Sequence, residues 1–176
     1  RILPSNMQMK RLKLLFFLLF PFLLPPSCFA QYEELGQFPI RHYTPEEYGG
    51  NPFVFGTASD STGRLFLANY STPGLMKYDG VQWEEININN LIAWDVAKGA
   101  DHKIYISSTD DLGYLEVDSL GVYYFESLVP LVAAQDSSLN LGQMRQVVAQ
   151  KQFLYFRSAN AVIRYDVENK DLKIWT

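Results

Sequence analysis

The sequence predicts an all-β chain built from repeated four-stranded antiparallel units. Two observations support this: an internal repeat, and the turn residues that divide each copy. An ungapped offset of 39 residues places 54–86 on 93–125, and the apolar triplet at 65–67 then falls on the triplet at 104–106. Four short strands in a repeat of about 40 residues are typical of a β-propeller blade. We therefore predict an incomplete β-propeller of about three blades, preceded by a signal peptide.

Each copy divides into four short strands. In the first copy we expect them at about 53–58, 64–69, 74–78 and 82–86. Asp79-Gly80, between the last two, is a strong type I′ hairpin signal. The second strand of each copy carries a continuous apolar triplet, as expected of a strand that is covered on both faces. A sandwich of consecutive hairpins would give similar strands, but it does not explain why the two copies match residue by residue at an offset of 39.

A third copy follows an insertion. Its triplet, Leu154-Tyr155-Phe156, lies 50 residues after the second triplet. The extra length is rich in Ser, Asn and Gly towards its end and is predicted to be a surface loop. The predicted organisation is upstream residues and signal peptide at 1–30, an N-terminal segment at 31–52, blade 1 at 53–88, blade 2 at 89–128, the insertion loop at 129–143 and blade 3 at 144–176. Because propellers have about 4 to 8 blades, we expect further blades after Thr176.

The signal peptide is predicted from its three parts. A basic segment at 9–13 precedes an apolar run at 14–24, and a short segment then ends at Ala30. We expect cleavage after Ala30. The apolar run is about half of the ~20 residues that span a bilayer, which disfavours a membrane anchor. Cys28 follows Pro-Pro-Ser, a poor context for lipidation, although the sequence leaves that alternative open.

Cleavage there would leave eleven basic and nineteen acidic residues, a net charge of −8, and no cysteine. An acidic chain is a poor candidate for binding nucleic acid, which needs clustered Lys and Arg. Without cysteine the mature chain would have neither a disulfide nor a thiolate nucleophile.

The sequence predicts no catalytic residue, no metal site and no cofactor. His42 and His102 are the only histidines, and neither has a readable partner that would orient it as a base. Four aspartates fall at hairpin corners, where Asp bonds its own backbone, and we expect a structural role for them: Asp60, Asp79, Asp101 and Asp118.

Three residues are candidates for contact with a ligand. Asp110 and Asp111 lie in a loop between strands and match no aspartate of the first copy. Tyr70 lies in a loop and breaks the register of the repeat. These three could line a rim that faces a ligand. Six other aromatic residues recur at places expected to pack within the blades: Phe55, Phe66, Tyr78, Trp83, Trp94 and Tyr105.

Four segments together resemble the opening of the two-component-regulator propeller sensors common in the Bacteroidetes: Ile40–Gly49, Asp60–Asn69, Gly74–Trp83 and Leu112–Leu115. The repeat of that family has, in order, Asp-x-x-Gly, a strand, Gly-Leu, aromatic-Asp-Gly and Trp. The first copy keeps every element, the second has His102 in place of the first Gly, and the third lacks both Gly residues.

This resemblance implies an extracytoplasmic sensing propeller on the periplasmic side of the inner membrane. It implies a small-molecule or oligosaccharide ligand, allows a homodimer, and places a three-tyrosine domain, a membrane helix and a cytoplasmic output after the propeller. That output would be a histidine kinase or a helix-turn-helix regulator. Two alternatives stay open: a secreted propeller for binding or adhesion, and a propeller glycosidase or lyase.

The segment at 37–43 alternates apolar and polar residues as a half-buried strand would. It has no partner in the first copy. Propellers can close by letting an N-terminal strand complete the last blade, which covers strand edges that would otherwise be open. We therefore predict that 37–43 forms the outer strand of the final blade, without a ladder to 53–86.

Overall fold

The fold is all-β and consists of three four-stranded antiparallel sheets. The computed structural model describes residues 40–70 and 74–176; the predicted signal peptide and the rest of 1–39 lie outside the described residues, as do 71–73. The strands are β1 Val54–Ser59, β2 Leu65–Asn69, β3 Leu75–Tyr78, β4 Trp83–Ile86, β5 Ala93–Lys98, β6 Ile104–Ser108, β7 Leu112–Val117, β8 Tyr123–Ser127, β9 Gln146–Gln150, β10 Phe153–Arg157, β11 Val162–Asp166 and β12 Asp171–Trp175. The helices are α1 Pro45–Tyr48 and α2 Val129–Gln135.

Each sheet takes its four strands in chain order from one copy of the repeat, which confirms the predicted fold class of three propeller blades. The strands of the first copy begin and end within one residue of the predicted bounds. β1 and β2 contact β5, and β5 and β6 contact β9. The first strands of the blades therefore converge, as they do around the axis of a propeller.

Aspartates fix the hairpin corners, as predicted. Asp79 Oδ1 accepts hydrogen bonds from the backbone N–H groups of Val81 and Gln82, each at 2.8 Å. Asp60 and Asp118 make the corresponding pair of bonds in their own hairpins. These bonds replace part of the backbone pairing that is lost where the chain turns.

His102 occupies a hairpin position that glycine occupies in blade 1. Its φ is 65°, and that of Gly63, 39 residues earlier, is 87°. Asp101 beside it accepts the phenolic hydrogen bond of Tyr105 at 2.9 Å. The structure thus places this histidine in a turn with left-handed backbone, a conformation that glycine adopts at little cost.

The second strands form the centre of the blades. β6 is buried at every position, as expected of a strand covered on both faces. Phe66, Leu154 and Phe156 have no exposed surface, whereas Leu65 is half-buried. One apolar cluster joins blades 1 and 2, and a second joins blades 2 and 3. The core of the molecule therefore lies between blades rather than inside any one of them.

An aspartate on β5 links adjacent blades. Asp95 Oδ2 accepts a hydrogen bond from the backbone N–H of Val147 in blade 3 at 3.0 Å, and burial raises the pKa of this carboxyl. On its other side blade 1 supplies Gly56, where an added Cβ would overlap Asp95 Oδ1. The glycine leaves the space that the carboxylate needs.

The prediction of a surface loop at 129–143 is wrong for its first half, which forms α2. Val132 of this helix is buried in the cluster between blades 2 and 3, and Gln135 Nε2 donates to the carbonyl of Leu172 at 2.8 Å. Proline is tolerated in the first turn of a helix, and the alanines that follow favour helix. The Ser, Asn and Gly residues that suggested a loop lie after the helix.

Tyr43 lies against the side of blade 1. His42 and Tyr43 belong to no strand. The ring of Tyr43 lies 5.1 Å from that of Tyr78 and 5.4 Å from that of Trp83, between centroids. Both partners, predicted to pack within the blade, are half-buried in this aromatic group. Blade 1 has no fifth strand in the described residues, and closure of a ring by 37–43 stays a prediction.

Candidate functional site

The candidate site lies at the end of the blades where the first strands begin and the second strands end. Because adjacent strands are antiparallel, the starts of β1 and β5 and the ends of β2 and β6 meet at one end. Six residues there form what we call the inner rim: Phe55, Tyr70, Trp94, Thr109, Gln143 and Arg145. The topology thus gathers residues that are far apart in the chain near the convergence of the first strands.

Three aromatic rings form the centre of the inner rim. Phe55 lies 5.0 Å from Trp94 and 5.8 Å from Tyr70, and Tyr70 lies 6.2 Å from Trp94, between ring centroids. Phe55 is 44% exposed and Tyr70 is 47% exposed. Aromatic rings at these separations attract one another, so the cluster is held together while its surface faces solvent.

The prediction that Phe55 packs within blade 1 is wrong, and Trp94 is only half-buried. The reason is a β-bulge in each first strand. The register with the second strand shifts between Val54 and Gly56, and again between Ala93 and Asp95. Phe55 and Trp94 are the extra residues, and a bulge re-aims the side chain it carries. The repeat placed these two residues in register because both are bulge residues at the rim.

Two polar side chains, Thr109 and Arg145, also contact Trp94. Its Nε1–H donates to Thr109 Oγ1 at 2.9 Å, and Cζ of Arg145 lies 4.9 Å from the centroid of the ring. Arg145 Nε in turn donates to Gln143 Oε1 at 3.0 Å, and Gln143 forms a β-bridge with Thr109. Sequence analysis missed Thr109, Gln143 and Arg145, because only the fold brings them to Trp94.

Asp110 and Asp111 differ in position. Asp110 is exposed at a φ of 57°, and its N–H donates to the carbonyl of Gly142 at 2.8 Å. Asp111 is buried, and its Oδ1 accepts bonds from Leu112 N–H at 2.8 Å and Ser127 Oγ at 2.6 Å. Asp110 therefore lies on the surface beside the inner rim, whereas Asp111 holds the loop from within.

Burial raises the pKa of Asp111 above its ordinary value of 3.8. The native state then binds the proton more tightly than the unfolded state. The contribution of this group to the free energy of unfolding is greatest below about pH 3.8 and falls as the pH rises through the native pKa.

We expect Asp111→Asn to remove this dependence, because the amide oxygen can accept both hydrogen bonds without ionising. As the pH rises, the free energy of unfolding of the parent protein should fall relative to that of the variant. The fall should be about 1.4 kcal/mol for each pH unit that separates the pKa of Asp111 in the unfolded state from its pKa in the native state. Urea denaturation at pH 4, 5, 6 and 7 measures the free energy of unfolding of the parent and the variant. Asp110→Asn controls for the loss of one charge from the loop. Parallel curves for parent and Asp111→Asn would contradict the prediction.

A cleft lies at the opposite end of blades 1 and 2, and the charged residues that line it have a structural role. Its charged residues are paired: Arg64 Nε lies 2.7 Å from Asp60 Oδ2, and Lys103 bonds to Glu116. Within 40–70 and 74–176, no three His, Cys, Asp or Glu side chains gather in a way that could hold a metal ion. Neither helix in those ranges has the length and apolar character needed to cross a bilayer.

No protein-family model and no curated protein matches the sequence. Among solved structures, a streptogramin B lyase matches with a TM-score of 0.51 and 13% identity, over 69% of this chain and 40% of that one. Virginiamycin B lyase from Staphylococcus aureus matches with a TM-score of 0.49 and 8% identity, over 69% and 40%. The extracellular domain of the hybrid two-component system BT3049 from B. thetaiotaomicron matches with a TM-score of 0.35 and 12% identity, over 77% of this chain and 26% of that one.

At these identities, the likeness to the streptogramin B lyase shows the fold alone, and it agrees with propeller blades. The chain spans about two fifths of the length of the lyases that it matches.

Proposed function

We propose that this chain is the extracytoplasmic ligand-sensing β-propeller region of a bacterial signal-transduction protein. The observation that carries the proposal is the inner rim, where three rings contact one another and two of them, Phe55 and Tyr70, are exposed to solvent. Binding residues are often loop residues held by a rigid scaffold, and here β1 and β5 supply that scaffold. Flat aromatic faces stack on sugar rings, so the ligand we propose is an oligosaccharide or a similar small molecule.

The rim groups suit binding better than hydrolysis. The rings offer apolar faces, and Gln143 and Arg145 add hydrogen-bonding groups beside them. A glycosidase needs two carboxyl groups on either side of the scissile bond. Of the two adjacent carboxyl groups, Asp111 is buried in its own loop, which leaves Asp110 on the surface.

The wider setting of the proposal rests on the sequence. The predicted signal peptide supports export. The resemblance to two-component-regulator propellers supports a periplasmic position, a membrane connection through a C-terminal part, and output through a histidine kinase or a transcriptional regulator, and it allows a homodimer. A ligand that binds one arrangement of the blades better than another would shift the balance between them and so signal.

Tyr70→Ala should weaken oligosaccharide binding about tenfold, or about 1.4 kcal/mol, because it removes one exposed ring of the cluster. Isothermal titration calorimetry against a panel of neutral and acidic oligosaccharides measures the change. Tyr124→Ala is the matched control, since Tyr124 is 45% exposed but lies on the outer strand β8. Equal losses for the two variants, or no binding by any member of the panel, would count against the proposed site.

A further inference from the structure

A cleft of about 330 Å³ continues from the inner rim into blade 3. It lies between the segment before β9 and the loop after β10. Its polar lining residues are two arginines, two residues with side-chain amides and one serine. The lining residues that matter here are Gly142, Gln143, Arg145, Arg157, Ser158 and Asn160.

Arg145 belongs both to this cleft and to the inner rim. Its guanidinium lies over Trp94, and its Nε and Nη2 both donate to Gln143 Oε1. A guanidinium carries five N–H donors, so three are left for another partner. The contacts that hold Arg145 also fix its direction, which lowers the entropy lost when it binds a ligand.

Arg157 lies beside Arg145 at the same end of blade 3. The backbone N–H of Arg145 donates to the carbonyl of Arg157 at 2.9 Å, which ties the two residues together. Arg157 Nε donates to Gln146 Oε1 at 3.3 Å, so its other donors also remain for a ligand. Both arginines are exposed.

Neither arginine forms an ion pair with a carboxylate of the described residues, although the chain has nineteen acidic and fifteen basic residues. Three other cations, Arg64, Lys77 and Lys103, each pair with a carboxylate. Asp110 in the adjacent loop bonds Gly142 through its backbone but pairs with neither arginine. Two arginines that line one cleft, are joined through their backbones and have no carboxylate partner are well placed to bind an external anion.

We infer that the inner rim and this cleft together bind a saccharide that carries an anionic group, either a uronate carboxylate or a sulfate ester. A sugar ring would stack on the aromatic cluster while the anionic group pairs with Arg145 and Arg157. Arginine binds carboxylate and similar anions through two parallel hydrogen bonds, which gives direction as well as affinity. This inference rests on the proposed function, because it names the ligand class of the same site.

The test compares each acidic oligosaccharide with its own neutral form. Tetragalacturonate is set against its methyl ester, and a sulfated chondroitin tetrasaccharide in its methyl-ester form is set against the desulfated methyl ester. We expect at least one acidic member to bind about tenfold more tightly than its neutral form at low salt, with a smaller ratio at high salt. The pair that shows the preference distinguishes carboxylate from sulfate.

Arg145→Ala and Arg157→Ala should each reduce this preference at least threefold. The preference is a ratio of two affinities, so it stays measurable where loss of the contact between Arg145 and Trp94 also weakens binding of the neutral form. Lys98→Ala is the control for net charge, because Lys98 is exposed at the opposite end of β5 from Trp94. Circular dichroism and thermal unfolding verify that each variant is folded.

The outcomes separate the two proposals. Neutral and acidic forms that bind equally, or a preference that survives both arginine substitutions, would overturn the inference and leave the proposed binding site intact. If no oligosaccharide binds at all, both the proposed function and the inference are wrong.

Discussion

Leu154→Ala should lower the free energy of unfolding by about 2 to 5 kcal/mol, the range for a buried leucine that leaves a cavity. Leu154 lies on β10 with no exposed surface, in the cluster that joins blades 2 and 3. The large loss is expected because this cluster fills the space between two sheets, and neither sheet can move in without disturbing the other. Urea denaturation at 25 °C, followed by circular dichroism, measures the change.

Leu120→Ala is the matched control, since Leu120 is 85% exposed in a hairpin and a surface substitution changes stability by less than about 0.5 kcal/mol. The repeat equates Leu154 with Ile104 and Leu65, and the sequence alone predicts similar burial for all three. Leu65 is only half-buried, so its substitution should cost less than that of Leu154. A Leu154→Ala variant as stable as Leu120→Ala would mean that the blade register is wrong.

The strands could be predicted because their signals are local. Apolar triplets mark the second strands, and aspartates that bond their own backbone mark the corners between strands. The residue that carries each corner bond is visible in the sequence, for example Asp79 before Gly80. Helix α2 was missed because the Ser, Asn and Gly residues that follow it dominated the interpretation of the insertion.

The candidate site could be predicted only in part, because its parts come from three blades. Tyr70 is a candidate from the sequence because it breaks the repeat in a loop, and the structure places it in the inner rim. Phe55 and Trp94 were assigned to the core because they recur in register, and a recurring aromatic residue looks the same in sequence whether it is buried or carried on a bulge. The signal that could have found them is the small or polar residue that follows each, Gly56 and Asp95, where a core strand would continue with an apolar residue.

The arginines had no signal in the sequence. Arg145 precedes β9 and Trp94 is the second residue of β5, about fifty residues earlier, and nothing local predicts that they meet. The packing of β5 against β9 brings them together. The ligand class inferred for the site therefore depends on tertiary structure, whereas the blade fold that carries it depends mainly on local pattern.

Gly113→Ala should destabilise the protein by about 3 kcal/mol, at the upper end of the cost of inserting a methyl group into a packed site. A Cβ at Gly113 would overlap the carbonyl oxygen of Glu126 and lie 2.7 Å from Phe125 Cζ. The first of these is a backbone atom of β8, so it can move only if the ladder between β7 and β8 is distorted. Gly74, the corresponding glycine of blade 1, approaches the carbonyl of Ile86 in the same way.

Gly121→Ala is the control that distinguishes the cost of a steric clash from the cost of placing alanine at a positive φ. Gly121 has a φ of 84° with no atom within 4 Å of an added Cβ, so alanine there brings conformational strain of about 1 to 2 kcal/mol but no clash. Gly113 is not among the residues with positive φ, so its substitution measures the close approach alone. We expect the loss for Gly113→Ala to exceed that for Gly121→Ala when both are measured by urea denaturation. The reverse order would show that β8 gives way to a methyl group, and the close approach of the third and fourth strands would then not explain the glycine of the repeat.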